Sequence, residues 1–501
     1  MSPGKVPLPG KWPDVCFILK LPPPIIRFMV EKSQVIPGRP LPDSFYCQGP
    51  ANSYICSSHV RQHYPAVLPE PTLHDNLGMS SPARQGINAP EWRQKRVLAV
   101  KVLMGVMVAI LVVFLADLSY LFGASFKVND RVSALNILVV DYDGGPIGES
   151  VSTAYQGLQS RKFPSLDFQS SSDYPDPEDV RHSVCKADYW GAVFIHKGAS
   201  DRLAAAIEGG SAAQNYDPTD SVTFIYNSAR YPTTASGYLA SNFQSLLGAM
   251  RGGYYRTKEG QAAFGNVNSS DPAAIQAYLN PIQGAPDVIR PTNQAARNLY
   301  NTINIVMAIL GQFFYVLAMN GIFDSFGIHK SMRISHVYVM RFITGKIFSM
   351  LFAIVVTGYI WAFREDWGVN GGHWALTWLT FWLFMDTNFQ VLESTINSFV
   401  PMPLTPFFLL TWFMVNVSAC IFPFELMSGF YRIGYAFPAH ALWIVLIEVW
   451  SGCGNYLHIG LPVLFAWWVV GHVTAVFSIR KRCLAQAAAP QAAAATEGKE
   501  E

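Results

Sequence analysis

The sequence predicts an α-helical polytopic membrane protein with six spans plus re-entrant or interfacial helices, and an extracytoplasmic α/β domain inserted after the first span. Three observations carry this prediction. Half of the 501 residues are hydrophobic and only 14% are charged, against about 25% in a soluble domain, too little charge to cover several soluble cores. Six apolar stretches approach the length needed to cross a hydrocarbon layer of about 30 Å. Between the first and second of them, residues 123–296 alternate strand and helix patterns without a spanning segment.

The formal net charge of +2 excludes a nucleic-acid binder that works through a global basic field. Seven cysteines in a chain of this length exclude a disulfide-dense secreted scaffold.

Taken in order, residues 1–92 hold roughly half of the 33 prolines and show no lasting hydrophobic period. Segments such as Leu21-Pro22-Pro23-Pro24 block regular structure, which predicts a disordered, proline-rich cytosolic N-terminus. Cys16, Cys47 and Cys56 lie there without metal-ligand spacing. The first span is Val97 to Phe122. Arg93, Lys95 and Arg96 precede it, which puts the N-terminus in the cytosol and makes the span a signal anchor.

The outer domain begins with the β-rich run Leu135 to Val140, ended by Asp141-Tyr142-Asp143-Gly144-Gly145-Pro146. Pro146 suits the first turn of a helix that continues with Ile147, Val151, Ala154 and Leu158 at helical spacing. Strands follow at Trp190–Ile195 and Val222–Tyr226, with a helix at Ala199–Glu208 between them. After Ser236 a helical stalk returns to the membrane. The aspartate-glycine turn lacks G-x-G-x-x-G spacing, and its two carboxylates repel an anion, so it reads as a structural turn. His182 and His196 accompany no Gly-x-Ser-x-Gly elbow, and no catalytic set converges anywhere in the chain. Cys185 could pair with Cys420 or Cys453, but is expected to be a free buried thiol. Asn268-Ser269-Ser270 is a glycosylation acceptor.

Five spans within 299–479 close the chain: Leu299–Ile322, Phe342–Phe363, Trp374–Ile396, Thr405–Ile421 and His458–Ile479. His329, Lys330, Arg333, His336 and Arg341 mark the loop before the third span as cytosolic, and Arg480-Lys481-Arg482 mark the end of the last. For both ends to stay inside, the apolar segment 423–450 must not cross. It reads as a re-entrant or interfacial helical pair on the outer side; a seventh crossing would put Arg480-Lys481-Arg482 outside. The Ala-rich tail 483–501 is expected to be disordered.

Charges within spans are expensive and mark candidate sites. Lys101 and Lys346 lie near cytosolic ends, where long side chains snorkel. Asp117 sits near the outer end of the first span, within reach of headgroups or the outer domain, and His472 lies in the sixth. In the fourth span Asp386 and Glu393 are two helical turns apart, with Asn388 and Gln390 between them. Such a stripe is a polar path or a proton-sensitive site, or else helix–helix glue or a span that ends earlier with Asp386 at its cytosolic exit. Glu425 and Arg432 are spaced to neutralise each other in an interfacial helix, as a structural pair or a gate, and His440 and Glu448 could line a vestibule.

Several blocks together resemble the fungal nitrosoguanidine-resistance family, and more distantly phage-infection protein and type-2 ABC transporter permeases. They are Val139-Val140-Asp141-Tyr142-Asp143 with Ile147-Gly148, Tyr189-Trp190-Gly191-Ala192 with Gly198-Ala199-Ser200, and Tyr226-Asn227-Ser228-Ala229-Arg230. Near the C-terminus, Asn416-Val417-Ser418 leads into Phe422-Pro423-Phe424-Glu425-Leu426 and Phe430-Tyr431-Arg432-Ile433-Gly434-Tyr435-Ala436-Phe437-Pro438, the most specific block. The resemblance covers about 97–482. It implies a role in resistance to toxic compounds and in plasma-membrane lipid organisation, and carries over no catalytic residues or cofactors. No Gly-x-x-x-x-Gly-Lys-Ser/Thr motif occurs, since Gly345-Lys346 runs into Ile347, so any ATP-driven action needs a separate energising subunit. The expectation is a non-enzymatic, permease-like protein of the plasma membrane with both termini cytosolic. It would act on membrane lipids or lipophilic small molecules, as a homodimer by analogy with such permeases. The competing expectation is a non-transporting scaffold or receptor that binds a partner through the outer domain.

Overall fold

In a computed structural model, the described residues are 87, 89–90 and 92–497 apart from 397, with side chains described to 488. The expectation for the proline-rich N-terminus and its three cysteines lies outside them.

Helix α1 (Trp92–Ala124) is apolar on every side and leaves nearly all its side chains exposed. A helix hydrophobic all round needs an apolar surrounding, and the protein supplies α1 with little. A 3-10 turn (Val128–Ala134) leads into an alternation of strands and helices: β1 (Asn136–Asp141), α2 (Pro146–Leu158), β2 (Ser165–Gln169), α3 (Pro177–Cys185), β3 (Gly191–Ile195), α4 (Ala199–Glu208) and β4 (Val222–Asn227). Then come α5 (Ser241–Tyr254), α6 (Lys258–Asn266), α7 (Pro272–Leu279) and β5 (Gly284–Ile289).

The five strands form one sheet in the order β2-β1-β3-β4-β5, with only β3 and β4 antiparallel. Both faces are covered, so β1 and β3 are apolar at consecutive positions rather than alternating. Ile137 and Val139 pack on the α2 side with Ile147 and Val151. Leu138 and Val140 pack with Val180 and Val184 of α3 on the other. The helical stalk expected after Ser236 is instead three short helices and β5, because Gly252-Gly253, Pro272 and the extended run after Pro281 interrupt helix propagation.

The helical part comprises α8 (Ile303–Ser325), α9 (Ile334–Ala362), α10 (Gly371–Thr395), α11 (Thr405–Ser418), α12 (Pro438–Ser451) and α13 (Leu457–Glu497). Among the described residues four helices, α1, α8, α9 and α13, are long and apolar enough to cross a membrane. The count rises to five if a 3-10 helix (Gly429–Ala436) and α12, bent by 80° at their break, form one span. The protein is thus a mostly helical one built for a membrane. Two of the six expected spans fall short by different criteria. α11 has 14 residues, about 21 Å of helix. α10 is long enough but too polar, and it is the centre of the bundle: every residue from Phe384 to Ser394 is buried against protein. Polar side chains are tolerated there because protein groups satisfy them.

α10 packs against α8, α9, α12 and α13, and two glycines let it approach closely. A Cβ on Gly345 of α9 would run into the Phe389 ring, and one on Gly471 of α13 would lie 2.7 Å from Cβ of Gln390. The tail expected to be disordered continues α13 to Glu497, since alanine has the highest helix propensity.

Cys185 is not free. It is joined to Cys453, 268 residues later, in the loop between α12 and α13, and Gly454 N–H donates to the Cys185 carbonyl at 2.7 Å. Cys420 and Cys483 remain free and buried.

Candidate functional site

The expected stripe on α10 resolves into two separate charge clusters. Toward its C-terminal end Glu393, 1% exposed, accepts from Arg341 Nε at 2.9 Å and Nη2 at 2.5 Å, and from Arg482 Nη1 at 3.3 Å. Both guanidinium groups also donate to Asn320 Oδ1 at 2.7 Å. Arg341 Nη1 lies 3.5 Å from His329 Nε2, whose Nδ1 pairs with Asp324 Oδ1 at 2.6 Å. One carboxylate thus ties α8, α9, α10 and α13 together. Two guanidinium groups face Glu393, Asp324 at the edge of the cluster carries a second negative charge, and every polar contact in it offsets a large desolvation cost. From sequence, Arg341 belongs to a cytosolic loop and Arg482 to the basic run at the end of the last span, where both count toward orientation. The signal that distinguishes them is position: Arg341 lies within the helix α9, facing a neighbour rather than water.

Higher on α10, Asp386 is 3% exposed and forms an ion pair with Lys346 of α9. Trp468 Nε1 donates to the same carboxylate oxygen at 2.6 Å. Lys346 therefore does not snorkel as expected, because a carboxylate within reach neutralises it where it stands. The His472 ring lies 4.2 Å from the Trp468 ring at an interplanar angle of 45°, with Nδ1 2.7 Å from the Trp468 carbonyl, and so lies beside this pair.

The Lys346–Asp386 pair closes one end of a groove of about 570 Å³ between α10, α12 and α13. The rest of its wall is apolar and includes Leu383, Val445, Leu461 and Phe465. Its rim is open: Leu376, Leu379 and Phe465 are 51%, 44% and 49% exposed, so the groove faces the side of the bundle. From Leu376 to Asp386 it follows ten residues of α10, about 15 Å.

The other candidates lie apart from this groove. Asp117 is buried against α11, where Thr411 Oγ1 donates to it at 3.1 Å, so it meets neither headgroups nor the outer domain. Glu448 accepts from the N–H groups of Tyr456 and Leu457, which makes it a cap for the start of α13 rather than a vestibule group. Glu425 and Arg432 form no ion pair. The expected common helix does not form: Glu425 lies in a turn ahead of the 3-10 helix 429–436 that carries Arg432, and Arg432 is exposed. His440 is buried with Nδ1 3.2 Å from the Ala419 carbonyl. Asn268 is exposed in the sheet domain, its Nδ2 donating to the Glu208 carbonyl at 3.3 Å. In the Asp141–Pro146 turn, Asp141 Oδ1 accepts from the N–H groups of Asp143 and Gly144, and Asp143 accepts from Ser200 N–H and Oγ. Its carboxylates are thereby occupied within the turn. Among the described residues no group of three or more His, Cys, Asp or Glu side chains is arranged to hold a metal ion.

No solved structure matches the chain. Residues 106–473 match the model of a family described as a protein of unknown function, DUF3533. That match runs from the middle of α1 into α13 and takes in the sheet, the groove and every member of the two charge clusters but Arg482. Extending over well more than half of the sequence, it places the chain in the DUF3533 family.

Proposed function

We propose that this is a permease-like protein that moves lipophilic compounds, or the lipids of its own membrane, and so contributes to resistance to lipophilic toxins. The observation that carries the reading is the laterally open groove ending at the Lys346–Asp386 pair. Its volume of about 570 Å³ is that of a small-molecule site. Its apolar wall suits a molecule arriving from the hydrocarbon layer, and the charged end supplies the polar contact that a purely structural crevice does not need.

The same reading takes a topology of six crossings with both termini cytosolic, in which α10 and the short α11 also cross. The parts of α8, α9, α10 and α13 that meet at Glu393 form one level, flanked by the basic residues expected inside. Asn301, just before α8, donates to the Cys420 carbonyl at 2.8 Å and so puts the far end of α11 at the opposite level. The disulfide ties the loop after α12 to the sheet domain. With both ends of segment 421–453 on the outer side, the bent pair enters and leaves without crossing. A disulfide and an exposed glycosylation acceptor in the sheet domain suit an oxidising, extracytoplasmic compartment, and the plasma membrane is the site the family resemblance implies.

The test is accumulation of a radiolabelled lipophilic toxin in cells lacking the protein, restored with the native chain or with Leu379→Trp at equal surface level. Leu379→Trp fills the groove and leaves the ion pair intact. The native chain should lower accumulation and the variant should not. Equal protection by both, without a change in accumulation, would reject transport and favour a scaffold that acts through the sheet domain.

A further inference from the structure

Where the sheet domain meets the bent helix pair lies a second cavity, of about 200 Å³, whose wall carries two opposite charges from distant parts of the chain. Arg230, just after β4, is 9% exposed. Its guanidinium lies 3.6 Å from the centroid of the Trp190 ring and donates to the Tyr189 carbonyl at 3.2 Å. Glu425, in the turn after α11, lines the same cavity. Among the described residues Glu425 makes no hydrogen bond or ion pair, and no oxygen of it comes within 4.0 Å of Arg230. Opposite charges in a small cavity attract strongly. Trp190 and the Tyr189 carbonyl hold the guanidinium where it is, while no partner draws the carboxylate toward it.

The wall beside the carboxylate is aromatic. Phe424 and Tyr435 have ring centroids 4.4 Å apart at an interplanar angle of 55°, and Tyr231, His440 and Tyr456 also line the cavity. A cation placed over the face of such a ring is attracted by its quadrupole. A guanidinium is the group best shaped for a phosphate or carboxylate. The cavity is below the size of a drug-sized pocket, but it matches a headgroup.

We propose that the cavity between Arg230 and Glu425 binds a small zwitterion, with its phosphate on Arg230 and its ammonium between Glu425 and the Phe424–Tyr435 corner. This is the chemistry of an ethanolamine or choline phosphodiester, whether it heads a phospholipid or is free in solution. The site does not depend on the groove. Ile444 and Ile447 of α12 face this cavity, whereas Val445 and Val449 face the groove, so either can fail alone.

The test is calorimetric titration of the full chain in mild detergent with dihexanoyl phosphatidylethanolamine, dihexanoyl phosphatidylcholine, dihexanoyl phosphatidylglycerol and glycerophosphoethanolamine. The two zwitterionic lipids should bind about tenfold more tightly than phosphatidylglycerol, the scale of a desolvated cation contact. Glu425→Gln should erase that preference, and Arg230→Gln should weaken all four. Glu425→Gln loses no hydrogen bond, and an intact Cys185–Cys453 bridge with an unchanged melting temperature establishes its fold. Binding of glycerophosphoethanolamine as tight as the lipid identifies a soluble zwitterion; binding of the lipids alone identifies a headgroup. Phosphatidylglycerol binding as tightly as the zwitterions, no binding of any probe, or a folded Glu425→Gln that keeps the preference would overturn the proposal.

Discussion

Replacing Glu393 by glutamine keeps the shape of the side chain and removes one charge from the centre of the bundle. Arg341 and Arg482 are 1% and 3% exposed and both converge on this carboxylate. The substitution leaves two guanidinium groups side by side with Asn320 Oδ1 as their shared acceptor. Breaking a buried ion pair by removal of one partner costs about 3–5 kcal/mol, because the surviving charge stays out of water. At about 1.4 kcal/mol per tenfold, the ratio of folded to unfolded protein should fall by roughly a hundred- to several-thousand-fold. The assay is unfolding of the full chain in mild detergent by stepwise addition of sodium dodecyl sulfate, followed by tryptophan fluorescence. Adding Arg482→Met to Glu393→Gln removes one of the stranded charges and should recover at least about 1 kcal/mol, the range of coupling between contacting residues. A Glu393→Gln midpoint within about 0.5 kcal/mol of the native chain, or a double variant no more stable than the single, would refute the idea that this carboxylate holds four helices together.

Two further outcomes follow from the packing and from the sheet domain. Gly345→Ala should destabilise the bundle by about 1–3 kcal/mol, since the added methyl meets the Phe389 ring across the α9–α10 contact; a melting temperature at or above native would show that α10 has room to shift. In the sheet domain, burial and then the charge of Arg202 hold His196 below its ordinary pKa of 6.5, with Nε2 2.8 Å from Thr223 Oγ1. The native state therefore keeps His196 neutral while the unfolded chain takes a proton, so stability should be full above about 6.5 and decline as the pH falls below it. Asp217 is lowered by hydrogen bonds from the Thr219 hydroxyl and N–H, and Asp271 by the N–H groups of Gly210 and Ala273. Their contribution is present above the ordinary 3.8 and is lost only as the pH falls further. Hydrogen exchange of β3 and β4 between pH 7.5 and 5 should show the first decline in the native chain but not in His196→Asn; equal slopes in the two would remove His196 from the account.

Much of the architecture was legible because hydropathy and helical period are local quantities. The apolar runs at 97–122 and 458–479 lie inside α1 and α13, the run at 342–363 overruns α9 by one residue, and the strand and helix runs at Val222–Tyr226 and Ala199–Glu208 lie inside β4 and α4. The strands β2 and β5 were not legible. Ser165–Gln169 and Gly284–Ile289 are half-buried edges with little apolar content, and only pairing with β1 and β4 makes them strands. α10 was read as a span by length, although its inner half owes its polar residues to protein on all sides.

The candidate sites divide in the same way. That Asp386, Glu393 and His472 needed explanation follows from the cost of polar groups in an apolar run, and the sequence alone established it. Which groups satisfy them did not follow. Glu393 meets Arg341 and Arg482, 52 and 89 residues away, and Cys185 meets a cysteine 268 residues away. Such meetings depend on how far each helix is rotated and how closely it packs, which here turns on glycines facing Phe389 and Gln390. The chain by itself determined where the apolar segments lie and which residues sit expensively within them. Only the tertiary structure decided that Lys346 and Asp386 share one end of a groove and that Arg230 and Glu425 face one cavity, because a side chain's partner is set by distance in space and its spacing along the chain carries no record of that.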